Sequence, residues 1–239
     1  MCVTLLVCTI VMQATPIIQN GMFTPNSAYS PKVTTGYYPG GAKDIFVNPW
    51  YFSGATNTHN GSGVVGWNTG IWDYVPMNGA QYNAFLQGKS YISQTISLVK
   101  GDVYTLTFWL SARPGYAVDP VEVLLGGTMQ TVSTTNKTTT GIVSGGTQLG
   151  GTISVAPVDA DKIAVWTKYT ESFKATTTGP ELLTFAGMTP STCGTDKSSC
   201  DFNAGLDNVS AAMAPEPAMA LLLPLGLLFV NGLRKRFLA

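Results

Sequence analysis

Two neighbouring stretches of the sequence alternate between hydrophobic and polar residues, and this period of two is the strongest structural pattern in the chain. Residues 92–98 run Ile-Ser-Gln-Thr-Ile-Ser-Leu, and residues 104–110 run Tyr-Thr-Leu-Thr-Phe-Trp-Leu. Such a period puts alternate side chains on opposite faces of a β-strand, so each stretch predicts a strand with one buried face. Lys100-Gly101-Asp102 between them is typical of a turn. We therefore predict a β-hairpin.

Four further segments have strand character, and almost no segment has helical periodicity. They are residues 121–125, 163–175, 181–185 and 206–211, and the chain between them is rich in Gly, Thr and Asn. Several short strands separated by frequent turns predict an all-β fold, an antiparallel β-sandwich. The polar, glycine-rich residues 128–151 are expected to form a long loop or a weak hairpin that contributes little to the core.

The N-terminus predicts export. Residues 5–12 are apolar over a length that suits a signal peptide rather than a membrane span, so residues 1–14 are taken as a signal-peptide-like segment. Residues 15–213 then have the length of one domain. This part contains twelve acidic and ten basic residues, without the clustered positive charge that nucleic acid requires. We expect no nucleic-acid partner.

The C-terminal residues 214–239 have three parts. Pro215-Glu216-Pro217 precedes a thirteen-residue apolar run, 218–230, and Arg234-Lys235-Arg236 follows it. As a short hydrophobic helix the run would be about 20 Å long, which is less than the ~30 Å of a hydrocarbon core. The alternative is an ordinary single-span anchor extended to residue 233 and held by the basic end.

In its order of parts this tail resembles the PEP-CTERM sorting signal of bacterial exported proteins. The match rests on Pro215, Glu216 and Pro217, on the apolar run, and on Arg234, Lys235 and Arg236. The resemblance implies transient anchoring in the inner membrane, and cleavage near the motif by an integral-membrane exosortase. It also implies delivery of the body to the cell surface or the exopolysaccharide matrix.

The body resembles the choice-of-anchor surface proteins, which look like galactose-binding-type jelly rolls and are relatives of carbohydrate-binding modules. The resemblance covers about residues 20–210, and it implies a non-catalytic domain with a glycan partner. It is carried by the order of short motifs: Asn20-Gly21-x-Phe23, Gly66-Trp67, Trp72-Asp73-Tyr74-Val75, Ile92-Ser93-Gln94-Thr95, Gly101-x-x-Tyr104-x-Leu106-x-Phe108, Leu182-x-x-Phe185 and Gly205-Leu206-Asp207-Asn208-Val209.

The same resemblance implies a structural calcium ion, although no cofactor is required. In the related modules the opening loop and the closing strand share the ion, and here Asp207 and the carbonyl groups from Asn20 onward occupy the matching places. Calcium takes six to eight oxygen ligands. Thr24 stands where an acidic residue is usual, and the alternative role for Asp207 is to hydrogen-bond the neighbouring loop.

Four tryptophans are candidate ligand-binding residues: Trp50, Trp67, Trp72 and Trp109. Sugars stack their apolar faces on aromatic rings while polar groups fix their orientation. Trp109 is the strongest candidate, because alternation places it on the face opposite Tyr104, Leu106 and Phe108. The competing interpretation of any one ring is packing in a two-layer sandwich.

Cys193 and Cys200 are the two cysteines outside the N-terminal segment. An even pair in an oxidising compartment predicts a disulfide, which would close a short ring. The alternative is a metal pair, but His59 is the only histidine, so further zinc ligands are lacking.

The sequence favours a protein without catalytic residues. Paired carboxylates of the kind that hydrolyse glycosides could be sought at Asp119 with Glu122 or at Asp159 with Asp161, and nothing distinguishes these from solvated charges. The first hypothesis is therefore an exported surface or matrix protein that binds glycans weakly. A structural or adhesive protein without a sugar site is the alternative, and a polysaccharide-active enzyme is the third.

Overall fold

The computed structural model describes residues 17–24, 49–52, 61–66, 82–134, 137–160, 162–189 and 202–214. Several predictions concern residues outside these ranges and stay predictions. They are the export signal 1–14, Trp67, Trp72, His59, the Cys193–Cys200 disulfide, and the sorting tail with its apolar helix and basic end. In the described ranges, no helix has the length and hydropathy that crossing a membrane demands.

The described residues form twelve β-strands. In chain order these are β1 (Tyr51–Phe52), β2 (Gly61–Gly66), β3 (Tyr82–Gln87), β4 (Tyr91–Leu98), β5 (Val103–Ala112), β6 (Val121–Leu125), β7 (Thr128–Thr134), β8 (Lys137–Ser144), β9 (Thr147–Ile153), β10 (Thr167–Lys174), β11 (Gly179–Gly187) and β12 (Asn203–Met213).

These strands build a sandwich of two five-stranded sheets and a separate hairpin. The first sheet has the order β1-β4-β11-β6-β9, the second has the order β10-β5-β12-β3-β2, and β7 pairs with β8. Every pair of neighbouring strands is antiparallel. From β3 to β6 and again from β9 to β12, successive strands alternate between the two sheets, as in a jelly roll. The predicted antiparallel β-sandwich is confirmed.

The predicted hairpin at residues 92–110 is wrong, although both of its strands exist. β4 lies in the first sheet and pairs with β1 and β11, whereas β5 lies in the second sheet and pairs with β10 and β12. The turn after residue 98 therefore crosses from one sheet to the other. Its backbone is satisfied by neighbouring groups, since Gly101 N donates to Ala175 O and Val99 N donates to the hydroxyl of Tyr104.

The core lies between the inner faces of the two sheets. In β5, the side chains of Tyr104, Leu106, Phe108 and Leu110 are buried, as the alternation predicted. Phe108 meets Phe185 of β11 edge to face, with ring centroids 5.1 Å apart. Edge-to-face contacts are a preferred arrangement of aromatic rings, and this one joins the two sheets across the core.

The described N-terminal residues 17–24 tie the two sheets together. Gln19 and Gln94 of β4 exchange two hydrogen bonds, from Gln19 N to Gln94 Oε1 (2.9 Å) and from Gln94 Nε2 to Gln19 O (2.7 Å). On the other sheet, Val209 N of β12 donates to Gly21 O across 2.9 Å. The opening segment and the closing strand thus meet, as in the family the body resembles.

Two other expectations need correction in part. Residues 128–151 contain the hairpin that was one of two alternatives, β7 with β8, but they also contain most of β9, whose Leu149 and Ile153 are both buried in the core. The strand expected at 163–175 is shorter in the structure, where β10 covers only Thr167–Lys174. Ile163 and Val165 come before this strand and are 67% and 65% exposed. An apolar side chain therefore does not by itself place a residue in a strand.

Candidate functional site

The outer face of the second sheet, the side turned away from the core, is the candidate functional site. Its open half is formed by β10, β5 and β12, where inward residues alternate with outward ones in the burial pattern. We call the outward residues of this half the open face. They are Lys168, Thr170, Ser172 and Lys174 of β10, Val103, Thr105, Thr107 and Trp109 of β5, and Ser210 and Ala212 of β12.

The other half of the same outer face is covered. Phe85 of β3 and Val65 of β2 are buried on this side, although they belong to the sheet surface rather than to the main core. Ala164 and Trp166, from the segment that precedes β10, pack against them. This crossing segment therefore borders the open face on one side and gives it a wall.

Trp109 lies where the wall meets the open face. Its neighbours in sequence, Phe108 and Leu110, are buried in the core, whereas Trp109 is only partly buried and lies on the opposite side of β5. Its cross-strand partners are Lys168 of β10 and Asp207 of β12. A partly exposed indole held in the middle of a three-strand surface can offer a ring to a flat apolar ligand group.

Hydroxyl groups line the open face beyond Trp109. Thr107 is in register with Thr170 of β10 and with Ser210 of β12, and Thr105 is in register with Ser172. Thr170, Ser172 and Ser210 are exposed. Hydroxyls both donate and accept hydrogen bonds, so this surface can satisfy ligands that carry many hydroxyls of their own.

Asp207 is brought next to Trp109 in register, and its side chain is 0% exposed. Its Oδ1 accepts a hydrogen bond from Asn208 N (2.7 Å), at a bulge where Asn208 has a φ of 47°. This matches the alternative role that the sequence allowed for Asp207, which is to support its own loop.

Asn20 is engaged in a turn and with an indole. Its Oδ1 accepts from Thr24 N, and its carbonyl accepts from Phe23 N and from Trp50 Nε1. Among the described residues, no group of three His, Cys, Asp or Glu side chains could hold a metal ion. The calcium ion stays a prediction, which the melting temperature of the wild type and of Asp207→Asn, with calcium and with chelator, would test.

Trp50 lies in the core, and this position argues against its predicted contact with a ligand. It is 1% exposed, its ring centroid is 5.0 Å from that of Phe23, and it is 6.3 Å from that of Phe185. A buried ring offers no free face to a sugar. The alternation in β5 favoured Trp109 as a candidate, but no such pattern surrounds Trp50, so the burial of Trp50 could not be predicted from the sequence.

Asp119 and Glu122 do not form a pair of facing carboxylates. Asp119 is 1% exposed, and its Oδ1 accepts hydrogen bonds from Met188 N, Thr189 N and Thr189 Oγ1. Glu122 lies on the outer face of the first sheet and accepts from Thr152 Oγ1 across 3.0 Å. Burial raises the pKa of Asp119 to about 7, against the opposing effect of its hydrogen bonds.

The fold is similar to that of several solved structures at low identity. The enzymatically active domain of tailspike protein 4 from bacteriophage CBA120 is 11% identical with a TM-score of 0.45; the match covers 83% of this chain and only 21% of that one. The K1 cleaved adhesin domain of Lys-gingipain from Porphyromonas gingivalis is 18% identical with a TM-score of 0.44, over 70% of this chain and 91% of that one.

A third match is TmCBM61, solved in complex with β-1,4-galactotriose. It is 14% identical with a TM-score of 0.42, and the match covers 84% of this chain and 100% of that one. These values are too low to support an inference about ligand or activity. No protein-family model matches the chain, and no curated protein does so.

Proposed function

We propose that the chain is a non-catalytic glycan-binding protein, and that the open face binds the glycan with Trp109 as its stacking platform. The observation that carries this proposal is the position of Trp109. It is a part-exposed ring on the middle strand of a surface whose other outward residues are hydroxyls, lysines, a valine and an alanine. Aromatic stacking combined with a few fixed polar groups is how proteins hold sugars.

The open face favours a shallow, weak contact rather than enclosure of a ligand. Among the residues that the structure describes, the segment with Ala164 and Trp166 borders this surface on one side. A polysaccharide that lies along the strands would meet Trp109 and then the hydroxyl rows of Thr107 and Thr105. A surface of this kind binds a chain without positioning any group for catalysis.

The proposal includes export and sorting. The signal-peptide-like segment and the tail, Pro215-Glu216-Pro217 to Arg234-Lys235-Arg236, would deliver the domain through the inner membrane to an exosortase. After cleavage the domain would remain at the cell surface or in the exopolysaccharide matrix. Mass spectrometry of the mature protein from its own host tests this part, and a C-terminus that still contains Arg234 to Arg236 would contradict it.

Binding is tested by a glycan array and affinity gel electrophoresis of three variants. Trp109→Ala is expected to weaken binding by at least tenfold, about 1.4 kcal/mol, whereas Trp109→Phe retains part of it. Tyr91→Ala is the matched control, because Tyr91 is a partly buried ring on the outer face of the first sheet.

The outcomes separate the candidate functions. Loss of binding in Trp109→Ala alone supports the proposal. A wild-type protein that binds no glycan favours the structural or adhesive role. Release of soluble sugar from host exopolysaccharide by purified protein would instead indicate the polysaccharide-active enzyme.

A further inference from the structure

The charged groups of the open face all have one sign. Lys168 and Lys174 are exposed on β10, and the remaining outward residues of β10, β5 and β12 in the described surface are uncharged apart from Asp207. Asp207 is 0% exposed, and its Oδ1 is hydrogen-bonded to the backbone of Asn208. Within the described residues, a ligand that lies on this surface therefore meets two ammonium groups and no exposed carboxylate.

The nearest other carboxylate on β10 is turned away from this surface. Glu171 is in register with the inward-facing Leu106, so it lies on the inner side of its strand. Its carboxylate lies beside Gly150 of β9, at 2.6 to 2.7 Å from the position a Cβ would take there. Gly150 belongs to the first sheet, and Glu171 therefore points across the edge of the sandwich.

The two lysines have a spacing that suits a chain rather than a single sugar. They are six residues apart on one strand, an even number that leaves both on the same side, and they are separated by about 20 Å. Lys168 is beside Trp109, and the hydroxyls of Thr170 and Ser172 lie between the lysines. The stacking ring and the two positive charges thus line one track along β10 and β5.

We infer that the open face takes an acidic polysaccharide, one whose repeating sugars carry carboxylates. This inference rests on the proposed glycan binding and specifies its ligand class. Lysine ammonium groups attract carboxylates without demanding one orientation, which suits a polymer that can bind in several registers. Because the two lysines are exposed, their attraction is screened by salt, so the preference for acidic glycans should decline as ionic strength rises.

The test compares polygalacturonate with neutral β-1,4-galactan, at low and at high salt, by affinity gel electrophoresis and calorimetry. We expect the wild type to bind polygalacturonate more tightly at low salt and to lose most of the difference at high salt. The double variant Lys168→Gln with Lys174→Gln should weaken polygalacturonate binding about fivefold and leave galactan binding unchanged. Lys89→Gln is the control, because Lys89 is exposed at the turn between β3 and β4, away from this surface.

The failure of this inference can be told from the failure of glycan binding itself. If galactan binds as tightly as polygalacturonate, and both depend on Trp109 but not on the lysines, the acidic preference is wrong and the glycan-binding face stands. If Trp109→Ala changes neither interaction, or if neither polymer binds, both are overturned. The melting temperatures of the variants verify that each is folded.

Discussion

The hydroxyl of Thr189 donates a hydrogen bond to Oδ1 of Asp119 across 2.5 Å. The backbone N–H groups of Met188 and Thr189 donate to the same oxygen, whereas Oδ2 has no hydrogen-bond partner in the part of the chain that the structure describes. Oδ2 and the carbonyl oxygen of Gly88 lie 2.5 Å and 2.2 Å from the position that a Cβ of Gly187 would take. Burial disfavours the charged form of this carboxyl group and outweighs the three hydrogen bonds to Oδ1, which favour it.

The first prediction is that the protein is less stable at neutral pH than at acid pH because of Asp119. Burial raises its pKa in the folded protein to about 7 from an ordinary value of 3.8. The protonated Asp119 therefore contributes its full stabilisation of the folded protein below about pH 4. This contribution declines as pH rises to 7, because in this interval Asp119 ionises in the unfolded chain but not in the folded protein. A pKa difference of this size corresponds to about 4 kcal/mol. Urea denaturation across this pH range measures it.

Asp119→Asn is the matched variant for this effect. The amide keeps an oxygen for Met188 and Thr189 and presents an N–H₂ group where the acid would carry its proton. We expect the variant to lose the decline between pH 4 and 7 and to be more stable than the wild type at pH 8. The same pH dependence in both proteins would show that Asp119 is not its source.

The second prediction concerns Gly21, where the opening segment crosses the closing strand. A Cβ at this position would lie 1.8 Å from the carbonyl oxygen of Val209. Gly21→Ala must separate the two backbones and weaken the bond from Val209 N to Gly21 O, which we expect to cost about 1–3 kcal/mol. Gly151→Ala is the control, because a Cβ there meets nothing within 4 Å. Equal unfolding free energies for the two variants would be inconsistent with a tight crossing.

The third prediction concerns a buried pair of hydroxyls between β4 and β11. Ser93 Oγ and Thr184 Oγ1 are 2.9 Å apart, and both side chains are 2% exposed or less. Ser93→Ala or Thr184→Val alone leaves one buried hydroxyl without its partner and should cost about 1–2 kcal/mol. The double variant should cost less than the sum of the two. A double-mutant cycle measured by denaturation gives the coupling, and strict additivity would contradict the pairing.

The fourth prediction separates the two described tryptophan candidates by stability. Trp50→Ala removes a core ring in contact with Phe23 and Phe185, so we expect a loss of about 3–5 kcal/mol. Trp109→Ala removes a partly exposed ring and should cost less than about 1.5 kcal/mol. Thermal denaturation of the two variants side by side provides the comparison. A larger loss for Trp109→Ala would mean that its ring is structural.

The sequence pattern predicted the faces of strands better than their partners. In β5, alternation correctly separated Phe108 from Trp109, because burial on one side is a local property of a strand. The same alternation in β4 and β5 suggested a hairpin, but both inner faces of a sandwich carry hydrophobic residues. Whether a turn joins strands within one sheet or crosses to the other is decided by distant segments, here by Ala175, whose carbonyl accepts from Gly101 N.

Those features of the candidate site that depend on a single strand could be predicted from the sequence. Those that depend on the pairing of several strands could not. Lys168 and Lys174 alternate with Tyr169 and Phe173, a pattern present in the sequence but obscured by the apolar residues before β10. The pairing of β10 with β5, which lies more than fifty residues earlier in the chain, puts Lys168 beside Trp109 and Lys174 beside Val103. Likewise, the surroundings of Asp119 could not be predicted, because they involve Met188 and Thr189, which directly follow β11 and donate hydrogen bonds to its carboxyl group.

The position of β12 determines how the domain would respond to a pull on its C-terminal end. β12 lies between β5 and β3, and the chain leaves it at Ala214, whose N–H still donates to Val103 O across 2.7 Å. Tension transmitted along the strand from a surface attachment would load the ladder with β5 in shear, so many bonds would have to break together. If the domain is attached through its tail as proposed, this arrangement would resist unravelling from the C-terminal end.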